Sequence, residues 1–260
     1  ENIRLAFQGI WSHMMRSFLT MLGIIIGIAS IIAIVSTIKG TSEQIKEDLI
    51  GSGSNTVNIY LYDGDNQYDS EYGSTTSQTP VLTDDVKDKI HDLDHVENAT
   101  FYYNSSSATI YNNNNSLQGG SVYGIDVNYL ATCGYVVQSG RGFVTDDYKK
   151  YNKVALIDDN AAQNLFPSEN PVGKTVEINQ EPYTVVGVIR QNENYQPTIS
   201  NLTDYYTYQE NIIGNVMIPD SCWPISFKFD VPQNAVVKAD STDTMSTVGN
   251  DAAEVLNELI

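Results

Sequence analysis

The sequence predicts an α+β protein in which one membrane-spanning helix precedes a large external domain. Two observations support this prediction. The first is an uncharged apolar run over residues 17–38, SFLTMLGIIIGIASIIAIVSTI. The second is that the following 222 residues mix helical and strand periodicities, with strands most dense between residues 108 and 190.

The apolar run matches the thickness of a bilayer. Its 22 residues rise about 33 Å as a helix, and the hydrocarbon core is about 30 Å thick. A signal peptide is the alternative, but its apolar region spans about 7–15 residues and ends at a small-residue cleavage site, which Lys39-Gly40-Thr41 does not resemble. We therefore predict a retained span. Its Gly23 and Gly27 form a GxxxG pattern at which another helix can approach closely.

The residues before the span predict its orientation. Arg4 and Arg16 are opposed only by Glu1, and basic flanks stay in the cytoplasm, so the N-terminus is predicted inside. Residues 1–16 also have helical amphipathic spacing, with Trp11 as an interfacial aromatic, which predicts a helix lying on the cytoplasmic face of the lipid bilayer. A simple extension of the spanning helix is the alternative.

Charge excludes one class of partner. The chain has 32 Asp and Glu against 14 Lys and Arg, a net charge of −18. Nucleic-acid binding is excluded because it depends on basic residues that neutralise phosphates. Residues 1–16 carry +1, so the rest of the chain carries −19.

Periodicity and turn residues predict the elements that follow the span. These are a helix at 41–50, a break at 51–54, a strand at 55–62, a helix at 83–93 with Thr83 as its cap, and a strand at 96–103. Strands follow at 108–111, 121–126, 153–158, 175–179 and 183–190, with a helix at 159–166. Strands at 216–218 and 226–229 precede a closing amphipathic helix that starts at Met245.

Two candidate chemical motifs are better explained as a turn and a solvated surface than as binding sites. Gly173-Lys174-Thr175 lacks the upstream glycine of a P-loop and precedes a predicted strand, so we interpret it as a turn into a hairpin. His91 and His95 lie four apart on a predicted helix without the metalloprotease glutamate, so a solvated surface is favoured over a metal site.

The other polar clusters also lack a specific pattern. Asp63, Asp65, Asp69 and Glu71 lack the spacing of a calcium loop and are interpreted as a solvated acidic loop. Cys133 and Cys222 are able to pair outside the cell, although two unpaired thiols are favoured. No catalytic set can be assembled, so we predict no catalytic residue, no bound metal and no cofactor in this chain.

Three blocks in order resemble the MacB-type ABC transporter permeases, within the larger FtsX-like set. They are the start of the span at 17–30, preceded by ENIRLAFQGIW; GRGFVTDD at 140–147, followed by VALIDDNAAQNLF; and NPVGKTVEINQEPYTVVGV at 170–188. Together they cover essentially the whole chain.

The resemblance implies a two-lobed extracytoplasmic domain. A Porter-like α/β lobe would comprise residues 39–105 and 213–260, and a β-rich Sabre-like lobe would be inserted at 106–212. It also implies a bacterial cell membrane protein with three further spans downstream, so we interpret the chain as a fragment.

The resemblance further implies the partners and the mechanism. A cytoplasmic ABC ATPase subunit or domain would hold ATP and Mg²⁺, and a second permease copy would complete a homodimer or heterodimer. An external adaptor or peptide substrate is a further possible partner. ATP hydrolysis would drive external motion for export or mechanotransmission through a coupling linker at Thr41, Ile45 and Leu49. A single-pass membrane-anchored binding or sensor module is the alternative.

Overall fold

A computed structural model of the chain describes residues 2–51, 55–63, 66–67, 82–192, 213–229 and 231–259. In the first helix, side chains are described at positions 14, 16 and 18–41. The chain divides into two compact units, Glu1–Asp48 and Leu49–Ile260.

The N-terminal part of the chain is one helix. Helix α1 runs from Asn2 to Gly51 without interruption. The backbone of residues 2–16 is helical and continuous with the span, as the alternative of a simple extension implies, and the position of residues 1–16 along the membrane face stays a prediction. Residues 2–51 contain no proline, and each residue added to a formed helix gains a backbone hydrogen bond, so nothing local ends the helix before Gly51.

The second unit is an α+β domain, as predicted. Its strands are β1 (Thr56–Ile59), β2 (Tyr62–Asp63), β3 (Asn66–Gln67), β4 (Val96–Ser105), β5 (Ile110–Asn112), β6 (Asn115–Ser116), β7 (Ser121–Ile125), β8 (Tyr135–Gly140), β9 (Val154–Asp158), β10 (Thr175–Ile178), β11 (Glu181–Gln191), β12 (Asn215–Pro219) and β13 (Asn234–Ala239). Its helices are α2 (Asp84–His91), α3 (Tyr129–Thr132), α4 (Thr145–Lys149), α5 (Asp159–Leu165), α6 (Trp223–Ser226) and α7 (Met245–Asn257), with a 3₁₀ turn at Asp220–Cys222.

Eleven of these strands form one mixed sheet. Their order is β1–β13–β4–β7–β12–β9–β11–β10–β5–β6, and β8 pairs with β11 outside this path. The pairs β7–β12 and β9–β11 are parallel, whereas the other pairs are antiparallel. Strands β2 and β3 form a separate hairpin. The sheet is continuous across the predicted lobes.

Three hydrophobic clusters pack against this sheet. One contains Val86 and Ile90 of α2 together with Val248 and Ala252 of α7. A second surrounds α5 and the β9–β11 strands, and the third lies around α3. Burying each large aliphatic side chain contributes about 1.5–3 kcal/mol, so the apolar helix faces stabilise the sheet directly.

Two sequence predictions in this domain need correction. Residues 226–229 are not a strand: the short helix α6 begins at Trp223, with Pro224 as its second residue, and ends at Ser226, and Phe227 stacks on Trp223 with ring centroids 3.9 Å apart. Strands β2, β3, β6, β8 and β13 and helices α3, α4 and α6 were not predicted. Strand β13 is buried along most of its length between β1 and β4, so it lacks the alternation that marks a half-exposed strand.

The segment after the predicted lobe boundary at 212 packs with the inserted residues. Strand β12 pairs with β7 and β9, and Cys222 and Trp223 belong to the cluster around α5. The chain returns to the first lobe's strands at β13, which pairs with β1 and β4. The division into Porter-like and Sabre-like lobes stays a prediction.

Candidate functional site

Helix α1 carries an apolar surface suited to lipid. Residues Phe18–Thr41 form a candidate membrane span with all side chains exposed. Its hydroxyl groups donate to carbonyls one turn back: Thr20 to Arg16 at 3.1 Å, Ser30 to Ile26 at 2.7 Å, and Thr37 to Ala33 at 2.8 Å. Within a bilayer, where water is absent, these bonds would satisfy the Thr and Ser hydroxyl groups.

The predicted packing glycines lie on an open face of this helix. Gly23 and Gly27 are four residues apart, and a Cβ built on either would meet no other atom within 4 Å. The backbone is therefore accessible to a neighbouring helix at this point. The packing role itself stays a prediction.

The other predicted membrane and linker residues all belong to α1. Arg16 and Thr41 are exposed, whereas the side chains of Arg4, Trp11, Ile45 and Leu49 lie outside the described side chains. The backbone of the linker is helical throughout, as predicted for residues 41–50. The helix ends at Gly51, and the rest of the predicted break, residues 52–54, lies outside the described residues.

The GRGFVTDD block forms a closed polar loop. Arg141 Nη1 lies 2.6 Å from Asp147 Oδ2, and Asp147 also accepts hydrogen bonds from the Val144 amide and from Asn152 Nδ2. Burial raises the pKa of Asp147, but these donors outweigh burial, so its pKa lies below the usual range. Asp147 is not among the residues predicted from the sequence, because nothing in its spacing distinguishes it from Asp146.

Two glycines let this loop join the sheet. A Cβ on Gly140, whose φ is +80°, would lie 2.2 Å from the Val186 carbonyl oxygen, and a Cβ on Gly187 would lie 2.4 Å from the Arg141 carbonyl oxygen. These backbones can approach so closely because both positions lack a side chain. The family-like blocks at 140–147 and 170–188 are therefore in direct contact.

The Gly173-Lys174-Thr175 motif is a turn into a hairpin, as predicted. Gly173 has φ of +84° and donates its amide to the Val185 carbonyl. Strand β10 follows and pairs with β11 through the turn at Asn179-Gln180. A phosphate-binding loop would instead lead into a helix N-terminus.

The histidines do not share a helix. Helix α2 ends at His91, whereas His95 follows in a turn with φ of +66°, so the prediction that both lie on one helix is wrong. His95 Nδ1 lies 2.8 Å from Asp240 Oδ2, and hydrogen bonding to this carboxylate raises the histidine pKa. Among the described residues, no group of three His, Cys, Asp or Glu side chains is placed to hold a metal.

Cys133 and Cys222 are both free and buried. Burial raises the pKa of each thiol, which disfavours the reactive thiolate. The candidate acidic loop at Asp65, Asp69 and Glu71 lies outside the described residues, as does the side chain of Asp63.

Two partly buried carboxyl groups, Asp158 and Asp220, have raised pKa values. Asp158 accepts the Ala161 amide at the start of α5 and the Asn215 amide at the start of β12, both at 2.8 Å. Burial raises the pKa of Asp158 to about 6 despite these bonds, and burial does the same for Asp220. An acidic residue between a strand and an alanine-containing helix is the sequence signal for the cap at Asp158.

Comparison with known proteins identifies the family. Residues 17–255 match the MacB-like periplasmic core domain, so the match includes the apolar run and every strand of the sheet. The chain belongs to the MacB-like periplasmic core domain family. This membership confirms the resemblance found in the sequence, and with the apolar helix it makes the chain membrane-anchored with a domain outside the cytoplasm.

Relatives of this MacB-like domain are ABC transporter permeases. An uncharacterised permease of Bacillus subtilis, YvrN, is 34% identical over 99% of this chain and 61% of its own length. The macrolide export ATP-binding/permease protein MacB of Neisseria gonorrhoeae is 36% identical over 75% of this chain and 29% of its own length. The chain therefore spans about three fifths of the first relative and under a third of the second.

Solved structures of the family share the fold. The extracellular domain of YknZ, an ABC-type transporter of Gram-positive bacteria, aligns over 78% of this chain and 93% of that domain, with 20% identity and a TM-score of 0.56. The periplasmic region of MacB from Actinobacillus actinomycetemcomitans aligns over 83% and 89%, with 24% identity and a TM-score of 0.57.

Proposed function

We propose that this chain is part of the permease subunit of a MacB-type ABC transporter, comprising its first membrane helix and its extracytoplasmic core domain. The observation that carries the proposal is that a permease relative matches 99% of the chain, including both the apolar helix and the mixed sheet. The chain's proposed role is non-catalytic, because the relative that matches nearly its whole length is described as an ABC transporter permease.

The energy for motion would come from a partner. A cytoplasmic ABC ATPase subunit or domain would bind ATP and Mg²⁺, and a second permease copy would pack against the membrane helix. Gly23 and Gly27 offer a surface for such packing, because a neighbouring backbone can approach there without meeting a side chain. Arg4 and Arg16 support a cytoplasmic N-terminus in a bacterial cell membrane.

The external part of helix α1 would carry the motion outward. The helix continues past Ile38, the end of the uncharged run, to Gly51. Those residues rise roughly 20 Å at ~1.5 Å per residue, which is long enough to carry a displacement away from the bilayer surface. Thr41, Ile45 and Leu49 lie along this part and form the coupling linker. Export and mechanotransmission would both use this connection.

A proline at Ile45 tests the coupling. Ile45→Pro removes a backbone donor and clashes with the carbonyl of Thr41, which kinks or breaks the helix at a cost of about 3 kcal/mol. In the full-length permease reconstituted with its ATPase, we expect this variant to retain ATP hydrolysis and to lose at least tenfold of the external conformational response, measured between spectroscopic labels. Ile45→Ala, which keeps the helix, is the matched control.

Two outcomes would contradict the proposal. A proline variant with a full external response would show that the linker does not transmit motion. An external domain that responds to its ligand equally well without any ATPase would favour the single-pass sensor instead.

A further inference from the structure

A cavity at the end of helix α7 has no role in the proposed transport motion. It has a volume of about 260 Å³ and lies between the end of β1, the start of β13 and the last turn of α7. Ile59 and Ala235, which are register partners in the β1–β13 pair, and Leu256 of α7 are part of its lining. At ~30 Å³ for each water molecule this is the space of roughly nine waters, which is enough for a small organic molecule.

Apolar carbon forms most of the wall. Ile59, Leu82, Leu256 and Leu259 are partly buried and pack against the hydrophobic cluster of α2 and α7, and all four also line the cavity. The cavity is therefore an opening into a hydrophobic core. An apolar group that enters it is removed from water, and this removal favours binding.

The wall of the cavity is uncharged, although the chain carries a net charge of −18. Every lining residue that the structure describes is either apolar or polar and neutral. A carboxylate or an ammonium group inside would lose its water without gaining a counter-ion, which is costly. The cavity therefore favours a neutral ligand.

Two side-chain amides bring unused hydrogen-bonding groups to this cavity. Gln233 is half-buried and Asn257 is exposed, so a molecule from solvent can reach both. Among the residues that the structure describes, neither amide makes a hydrogen bond. Tyr60, the other polar residue of the lining, hydrogen-bonds with Tyr102 and is already used. Each of the two amides therefore offers N–H donors and a carbonyl acceptor to a ligand.

We propose that this cavity binds a small neutral carboxamide with an apolar body, and that Gln233 and Asn257 exchange hydrogen bonds with its amide group. A carboxamide both donates and accepts, so it complements a wall that offers both, whereas a carboxylate only accepts. The apolar body would pack against Ile59, Leu82 and Leu256. The proposal rests on the cavity alone and stands whether or not the chain serves a transporter.

Alanine methyl resonances report on this site, because Ala235 and Ala253 both line the cavity. The full chain is prepared with ¹³C-labelled alanine methyl groups, and Ala253→Ser assigns the Ala253 resonance. Lipid nanodiscs hold the chain, since detergent monomers would compete for an apolar cavity. The probe is 3-phenylpropanamide, and 3-phenylpropanoate is the charged compound of the same shape. We expect the amide to shift the Ala253 resonance saturably and the carboxylate to need roughly tenfold more for the same shift.

Amide variants test the two hydrogen-bonding groups. Gln233→Leu removes one amide, keeps a side chain of similar volume and is expected to raise the Kd for 3-phenylpropanamide roughly tenfold. Asn257→Ala removes the other amide at an exposed position and should raise the Kd severalfold. Gln138→Leu, at an exposed glutamine of β8, is the matched control and should leave the Kd unchanged.

Three results would overturn the proposal. The first is that 3-phenylpropanamide does not move the Ala253 resonance at millimolar concentration. The second is that 3-phenylpropanoate binds equally well, which would show that the cavity does not select a neutral amide. The third is that Gln233→Leu and Asn257→Ala both bind the probe like the parent chain.

Discussion

Arg141 and Asp147 form a bidentate ion pair, with Nη1 2.6 Å from Oδ2 and Nη2 3.3 Å from Oδ1. The carboxylate is 2% exposed, whereas the guanidinium is 46% exposed. The Asp147 carboxylate has lost nearly all contact with water, so its charge is stabilised by its protein partners, whereas the Arg141 guanidinium remains in contact with water. This pair closes the loop that connects β8 to β9.

Asp147→Asn should destabilise the external domain by about 2 kcal/mol, because a buried amide replaces a carboxylate that accepts three sets of hydrogen bonds. Urea unfolding followed by Trp223 fluorescence in the Trp11→Phe background measures the change. Asp146→Asn is the matched control. It disrupts an exposed pair with Lys150 and should cost less than ~0.5 kcal/mol. An equal loss of unfolding free energy in the two variants would show that the buried Arg141–Asp147 pair contributes no more to stability than the exposed Lys150–Asp146 pair.

The partly buried carboxyl groups of Asp158 and Asp220 predict a pH dependence of stability. The folded-state pKa of Asp158 and of Asp220 is about 6, above the ordinary value of 3.8. The native state therefore holds more protons than the unfolded chain between these values, and the free energy of unfolding should fall as pH rises from about 4 to above 6. The upper bound is about 3 kcal/mol for each group.

Asp220→Asn isolates one of these contributions. The amide cannot ionise, so the variant should lose less stability than the parent chain between pH 4 and pH 7.5, by roughly 1–3 kcal/mol. Urea titrations at several pH values measure the two slopes. Parallel curves for the two proteins would contradict the assignment of a raised pKa to Asp220.

Gly124 should resist substitution because two aromatic rings occupy the space above it. A Cβ there would lie 2.7 Å from Trp223 and 3.3 Å from Tyr103, so Gly124→Ala should cost about 2 kcal/mol. Gly142→Ala is the control, since its Cβ would make ordinary contacts at 3.6 and 3.9 Å. Thermal unfolding compares the two variants. If both lose the same stability, crowding at Gly124 is not the cause.

The open glycine face of α1 predicts an effect on helix association. Gly27→Leu places a large side chain where a neighbouring backbone would approach, and it should weaken association of full-length permease copies in vesicles severalfold. Energy transfer between labelled copies measures this association. Ile26→Leu conserves side-chain volume and should leave it unchanged. A Gly27→Leu variant that associates normally would place the packing surface elsewhere on the helix.

Strong local patterns were predictable from the sequence. The apolar run, the helices α2, α5 and α7 and the hairpin at Gly173 each depend on neighbours within a few residues, such as a spacing of apolar positions or a turn glycine. The candidate membrane and linker residues were named for the same reason. Strand β13 was missed, because its continuous burial arises from two neighbouring strands that are distant in the sequence.

The sequence by itself determined the membrane span and the family, since both depend on the order and chemistry of nearby residues. Only the tertiary structure decided which acids are buried. Asp147 and Asp146 are adjacent and chemically identical, yet one is enclosed by Arg141 and Asn152 while the other faces solvent beside Lys150. The physical reason is that burial, and its effect on pKa, depends on which distant backbone segments the sheet brings together. The spacing of residues along the chain does not reveal these contacts.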